Sequence, residues 1–177
     1  HHLLHLIDEV LAFSRLETGR EELRAGSAQL AAVVAEAASV IAPLAAERRL
    51  ELRIDAPTEP VPLETDVGKV RHILLNLLTN AVKFVAPGIL PIVKVRAVEL
   101  PSVIRVWVED NGIGIPPDKV GAIFTPFERL HREDQYSGSG LGLSIVKRIM
   151  QSHGGRIQVT STVGEGTRFI LQFPKLR

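Results

Sequence analysis

The sequence predicts an α+β domain, a two-layer sandwich in which helices cover one face of a mixed β-sheet, preceded by one long N-terminal helix. Apolar residues recur at three- and four-residue spacing in several long segments, which indicates amphipathic helices. Apolar and polar residues alternate in several shorter segments, which is typical of half-buried strands. The last two alternating segments flank a glycine-rich turn and predict a closing hairpin.

Composition excludes several classes of protein. The chain has 177 residues, 45% of them hydrophobic, with 21 Lys and Arg against 20 Asp and Glu. This charge balance argues against a nucleic-acid-binding arm or a polybasic membrane anchor. The absence of cysteine excludes disulfides, thiolate zinc sites and cysteine nucleophiles. No apolar run approaches the roughly 20 residues that cross a bilayer. We therefore expect no nucleic-acid partner, because of the charge balance, and no direct membrane contact.

The first elements are predicted as follows. Residues 1–19 form a helix too apolar to stand alone, so it needs a bundle partner from a longer parent chain or a second copy. Residues 21–25 could form a short strand. Ser27 is a suitable N-cap for an alanine-rich helix that runs to about Arg48, and Pro43 should kink or interrupt that helix.

The central and C-terminal elements follow from the same patterns. Asp66 caps a strong helix that runs to about Phe84, and a polar region at 111–139 holds short helical pieces around 119–124. A helix at 141–152 ends at a Gly-Gly pair. Loops are expected at 56–62 and 85–91, and strands at 50–54, 92–99, 103–110, 156–163 and 167–173.

The helix that begins after Asp66 carries an unusual polar face. At ~100° per residue, Asn76, Asn80 and Lys83 fall within about 60° of one another, away from the apolar stripe. Asn is a poor residue for a helix interior, so two of them one turn apart need a reason. A solvated surface would explain them, and so would a site where amide oxygens and an ammonium hold a hydrated Mg²⁺ and a phosphate.

Two further segments suggest a ligand site. Asp110 ends a strand on the parity of its buried apolar row, so its carboxylate must find a hydrogen-bond donor. It either belongs to a simple turn or accepts from an adenine amino group, with Gly112 and Gly114 letting the backbone approach the ring. Alternate glycines at 138, 140 and 142 precede a helix and could cradle phosphates with free N–H groups.

In combination and in this order, these segments resemble the ATP-binding domain of sensor histidine kinases, in the GHKL superfamily with DNA gyrase B, MutL and Hsp90. Residues 76–84 (NLLTNAVKF) resemble the N box, 110–115 (DNGIGI) the G1 box, 124–129 (FTPFER) the F box and 138–143 (GSGLGL) the G2 box. Residues 164–169 (GEGTRF) match the closing hairpin. Residues 13–19 resemble the end of the second dimerisation helix. The resemblance implies the Bergerat fold, with 1–20 a remnant of the dimerisation domain and 21–177 the catalytic domain.

The resemblance also implies a role for each matching residue. Asn80 would coordinate Mg²⁺ and Asn76 would sit beside the triphosphate of ATP. Lys83 would contact a phosphate and Arg129 the γ-phosphate. The region from Phe127 to Ser137 would be a lid over the nucleotide. Phe84 would lie against the adenine, and Asp110 would accept from the adenine amino group, with Gly112, Gly114 and Thr167 at the same end. Phe127 would also contact the nucleotide. The phosphate cradle would consist of Gly138, Gly140, Leu141, Gly142 and Leu143.

Asn76 indicates a kinase rather than a hydrolase. The gyrase and MutL ATPases carry a Glu there as general base for water, and an amide cannot take a proton at neutral pH. Neutral imidazole is already nucleophilic and needs no such base. The family's phosphoacceptor His is followed by an acidic residue, whereas His1, His2 and His5 are followed by His, Leu and Leu. We therefore expect that this chain binds ATP and cannot phosphorylate itself.

The resemblance implies partners as well. The γ-phosphoryl would pass to a histidine on a dimerisation helix outside this chain, within a homodimeric parent, and then to an Asp of a response regulator receiver domain. The resemblance also implies a cytoplasmic location, with a parent protein that is either membrane-anchored or soluble. Two alternatives stay open: an anti-sigma-type serine kinase, which the resemblance at 13–19 disfavours, and a degenerate nucleotide-binding scaffold, which the intact boxes disfavour.

Overall fold

A computed structural model describes residues 10, 11, 14, 23, 24, 26–129 and 138–175. Val10, Leu11 and Ser14 are helical and exposed, and the rest of the helix predicted over 1–19 lies outside the described residues. Of the strand predicted at 21–25, Leu23 and Arg24 are described, and neither is in a strand. Of the lid predicted over 127–137, only residues 127–129 are described.

A five-stranded mixed sheet forms one layer of the fold, in the order β2 (Arg53–Asp55), β4 (Ile92–Glu99), β5 (Val103–Asp110), β7 (Gly166–Pro174) and β6 (Arg156–Thr162). Strand β2 pairs parallel with β4, and the other neighbours pair antiparallel. This confirms the predicted fold class and the closing hairpin.

Three helices form the second layer: α1 (Leu30–Glu47), α2 (Val67–Lys83) and α3 (Gly142–Ser152). The predicted stripe of α2 is buried, and the Asp66 side chain caps this helix by accepting a hydrogen bond from Lys69 N–H at 3.0 Å. The inward rows of the sheet complete the core. They consist of Val93 and Val95 in β4, Ile104, Val106 and Val108 in β5, and Phe169, Leu171 and Phe173 in β7.

The start of α1 differs from the prediction. Gly26–Gln29 forms a strand, β1, which pairs antiparallel with β3 (Pro62–Thr65) in a separate two-stranded sheet. Ser27 therefore lies opposite Glu64 in that ladder, and Gln29 precedes the helix without a side-chain cap. The prediction of Ser27 as N-cap was wrong because a short, non-local strand pairing takes the backbone that the cap would need.

Pro43 does not interrupt α1, contrary to the prediction. The helix continues to Glu47, with Ile41 and Ala45 buried on either side of the proline. A proline removes one helical hydrogen bond, and packing of this buried face against α2 keeps the helix whole. By length and composition α1 could also cross a membrane, but its buried stripe makes it a core helix here.

Candidate functional site

Asn76 lies on α2 where this helix meets the start of α3. Its Nδ2 donates to the His72 carbonyl oxygen at 3.0 Å, which fixes the amide and leaves Oδ1 as the free end. A Cβ added at Gly142, the first residue of α3, would lie 2.6 Å from that Oδ1. The amide oxygen therefore faces the N-terminus of α3, and glycine at 142 permits this approach.

The C-terminal end of α2 holds the other predicted polar residues. Asn80 and Lys83 are half-buried, and the Asn80 carbonyl accepts from Phe84 N–H at 2.8 Å. The Lys83 ammonium lies 5.2 Å from the centre of the Phe84 ring. A side chain at Gly138 would collide with Lys83 Nζ. The ammonium therefore reaches the first glycine of the glycine-rich segment, as a phosphate-binding arrangement requires.

Asp110 ends β5 with its carboxyl group turned into the structure. Its Oδ1 accepts hydrogen bonds from Gly112 N–H at 2.8 Å and from Thr167 N–H at 3.2 Å. Burial raises the pKa of this carboxyl above its ordinary value of 3.8, and the two backbone hydrogen bonds lower it less than burial raises it. The group is thus a partly desolvated acid, held in place by two donors on one oxygen, with Oδ2 left for a ligand.

The turn after Asp110 ties three elements together. Ile113 N–H donates to the Phe84 carbonyl at 2.8 Å, which joins the turn to the end of α2. A Cβ at Gly112 would lie 2.6 Å from that same carbonyl oxygen. Gly114 has φ of 73°, and a side chain there would overlap the Thr162 carbonyl of the hairpin. Both glycines are needed for packing of the chain on itself, and their predicted closeness to an adenine stays a prediction.

Sequence reasoning missed two side chains that hold this turn. Asn111 accepts from Ile92 N–H and donates to the Leu90 carbonyl, each at 2.8 Å, and so fixes the loop before β4. Ser161 accepts from Ile115 N–H at 2.8 Å. The one signal for Ser161 was its parity with the inward residues of β6, which is unusual for a hydroxyl.

The glycine-rich segment lies against the end of the F box. Phe127 N–H donates to the Gly140 carbonyl at 3.0 Å, and Gly140 has φ of 74° with the Phe127 backbone 2.9 Å from any added Cβ. Phe127 itself is 63% exposed, with φ of 63°. Leu141 is fully buried and anchors the segment in the core. The Leu141 side chain therefore packs inside, and its N–H donates to Ser139 Oγ at 3.1 Å.

For two further predicted residues, we describe position and burial. Arg129 is half-buried and ends the described part of the F box, and Leu143 is half-buried in the first turn of α3. The geometry brings Asn76 and Lys83 together with the glycine-rich segment, and Asn80 lies between them on α2. It brings Asp110 and Thr167 together through strand pairing. Phe84 joins the two groups through its carbonyl. The roles of these residues stay predictions.

The donor chemistry of the site fits a magnesium ion carried by a nucleotide. Within the described part of the chain, no three His, Asp or Glu side chains gather into a metal cage. Mg²⁺ usually takes one or two protein ligands and completes its shell with substrate phosphates and water. Asn76 and Asn80, one turn apart on α2, carry side-chain amide oxygens that could serve as such ligands.

Comparison with known proteins gives a consistent result. Residues 65–177 match the family described as histidine kinase-, DNA gyrase B-, and HSP90-like ATPases. The alginate biosynthesis sensor protein KinB of Pseudomonas aeruginosa is 36% identical over 172 residues, covering 97% of this chain and 28% of KinB. The circadian input-output histidine kinase CikA of Synechococcus elongatus is 33% identical, covering 98% and 23%. The chain thus spans about a quarter of these relatives.

Solved structures agree with these sequence relatives. Full-length ShkA in complex with AMPPNP has a TM-score of 0.83 and 33% identity, covering 98% of this chain and 36% of that one. A nucleotide-free catalytic domain of the histidine kinase ThkA has a TM-score of 0.69 and 25% identity, covering 88% and 99%.

Proposed function

Because this chain belongs to the family of histidine kinase-, DNA gyrase B- and HSP90-like ATPases and has the fold of a histidine kinase catalytic domain, we propose that it transfers the γ-phosphoryl group of Mg·ATP to a protein histidine. The observation that carries the proposal is Asn76. The family's hydrolases need a proton acceptor at this position, and here an amide is tied to the His72 carbonyl.

The proposed binding site has two ends. At one end, Asp110 Oδ2 accepts from the adenine amino group, with Thr167 beside it and the Phe84 ring along the base. At the other end, Lys83 and the N–H groups of the glycine-rich segment hold the phosphates. Asn80, with Asn76 close by, would hold Mg²⁺, which supplies positive charge at the transferring phosphoryl when bound.

Phosphoryl transfer at this site needs positioning more than proton chemistry. An imidazole nitrogen lone pair forms the N–P bond while the bond from the γ-phosphorus to the β-phosphate oxygen breaks, and ADP leaves. Neutral imidazole brings its own nucleophile, so no side chain of this chain has to remove a proton. Lys83 and Arg129 stabilise the charge that develops on the phosphate oxygens.

The wider pathway follows from the same proposal. The acceptor histidine lies on a dimerisation helix outside these 177 residues, and the parent acts as a homodimer. The phosphoryl group then moves to an Asp of a response regulator in the cytoplasm. Among the curated relatives, CikA is named as a histidine kinase and KinB as a sensor protein.

Transfer of radiolabel tests this proposal. The chain is mixed with labelled ATP, Mg²⁺ and a parent protein that keeps its dimerisation helices but has an inactivated catalytic domain. We expect acid-labile, alkali-stable label on the partner, as phosphohistidine gives, and none with Asn80→Ala, because the metal ligand is lost. Thr79→Ala, next to it on α2, is the matched control and should label normally.

Three other results would contradict the proposal. Acid-stable label on the acceptor protein would indicate the serine-kinase alternative. Binding of ATP with no label at all would indicate a scaffold. Full labelling by a folded Asn80→Ala variant would mean that Asn80 is not a metal ligand.

A further inference from the structure

The hydroxyl group of Ser161, in β6, contacts three groups that come from two other segments of the chain. Its Oγ accepts from Ile115 N–H at 2.8 Å and donates to the Gly166 carbonyl oxygen at 2.8 Å. The same Oγ lies 3.0 Å from Thr167 Oγ1, at hydrogen-bond distance. Ser161 is half-buried and Thr167 is only 8% exposed, so these contacts are shielded from water.

The number of protons decides the direction of the contact between the two hydroxyl groups. A serine hydroxyl has one proton to donate. The Gly166 carbonyl can only accept, so the proton of Ser161 is used there. The contact with Thr167 is then a hydrogen bond only if Thr167 donates. The threonine hydroxyl is left with lone pairs and no free proton.

Thr167 lies directly opposite Asp110 in the pairing of β5 with β7. Its own N–H donates to Asp110 Oδ1, and an ionised carboxylate can only accept. The Asp110 carboxylate and the Thr167 hydroxyl therefore form a pair of acceptors. A ligand group placed against this pair has to be a donor.

We propose that Ser161 is a positioning residue that fixes the Thr167 hydroxyl as an acceptor, and so makes this end of the site select a 6-amino purine over a 6-oxo purine. The inference rests on the proposed function, since it requires a purine beside Asp110. Without Ser161 Oγ, the Thr167 hydroxyl can turn and donate its proton to a 6-oxo group. Such a switch from acceptor to donor changes which base is bound, not only how tightly.

Equilibrium titration of the chain with Mg·ATP and Mg·ITP tests the proposal, because inosine carries a carbonyl where adenosine carries the amino group. We expect the wild-type chain to prefer ATP. Ser161→Ala should lower the ratio of ATP to ITP affinity about two- to tenfold, the effect expected for one neutral hydrogen bond. A purely structural role would weaken both nucleotides alike and leave the ratio unchanged.

A double variant tests whether Ser161 acts through Thr167. In a Thr167→Val background, Ser161→Ala should change the ratio no further, because the hydroxyl that it controls is gone. An equal drop in both backgrounds, or an unchanged ratio in a folded Ser161→Ala chain, would overturn the inference. A wild-type chain that binds no ATP would instead defeat the proposed function itself.

A measurement on the unmutated chain covers the case in which Ser161→Ala does not fold. The hydroxyl protons of Ser161 and Thr167 can be observed by NMR if they exchange slowly. A Thr167 hydroxyl proton close to the Ser161 oxygen, and a Ser161 proton close to the Gly166 carbonyl, would support the inference. A Ser161 proton directed at Thr167 would refute it.

Discussion

At the scale of single residues, the fold buries the carboxyl group of Asp110 although burial disfavours its charged form. Its carboxyl accepts two backbone hydrogen bonds, yet burial still raises its pKa above 3.8. A charge in this position costs folding free energy, since a buried carboxylate is poorly solvated. The same desolvation strengthens its hydrogen bond to a ligand donor.

The raised pKa of Asp110 predicts a pH dependence of stability. The folded chain binds this proton more tightly than the unfolded chain does. The contribution of Asp110 to stability is therefore full below about 3.8 and declines as pH rises through the folded pKa. We expect the free energy of unfolding of Asp110→Asn, relative to wild type, to increase across that window and then stay constant, as measured by urea unfolding from pH 3.5 to 8.

Asp118→Asn, at an exposed turn, is the control for removing one carboxylate. A wild-type chain that gains stability relative to Asp110→Asn as pH rises through this window would mean that the carboxylate is stabilised in the fold. That outcome would contradict the assignment of Asp110 as a desolvated acid.

At the scale of elements, local patterns could predict most of the fold. Helix α2 and strands β4 and β5 lie where periodicity places them, because each buries one face of a continuous segment. Strands β1 and β3 were not predicted, since each has four residues and each depends on a partner distant in sequence. A four-residue segment carries too little alternation to indicate such a pairing.

The same distinction applies to the candidate site. Asn76, Asn80 and Asp110 could be found from sequence because a polar residue conflicts with its position in a helix or strand. The contacts of Ser161 with Ile115 and of Asn111 with Ile92 and Leu90 could not, because they join residues 46, 19 and 21 positions apart. Only folding brings those groups together.

The turn after β5 provides a test at this scale. Gly114→Ala combines a left-handed backbone with overlap of the Thr162 carbonyl, so we expect a loss of about 2–4 kcal/mol in the free energy of unfolding. Gly121→Ala is the control, because a Cβ there meets nothing within 4 Å. Equal stability of the two variants in denaturant titrations would mean that Gly114 does not pin the turn to the hairpin.

At the scale of the whole molecule, the two layers of the fold meet at the candidate site. Helix α2 supplies the amides and the ammonium, the sheet supplies Asp110 and Thr167, and the start of α3 supplies the glycine-rich backbone. Hydrogen bonds across these elements, such as Ile113 N–H to the Phe84 carbonyl at 2.8 Å, fix their spacing. The chain spans about a quarter of relatives such as KinB and CikA.

The central claim is that one nucleotide lies between the amides of α2, the glycine-rich segment and Asp110. Titration of the chain with the magnesium complex of a non-hydrolysable ATP analogue, followed through backbone amide resonances, tests it most directly. The account predicts saturable shifts concentrated at Gly112, Thr167 and residues 138–142. No saturable shift, or shifts confined to other parts of the chain, would contradict it.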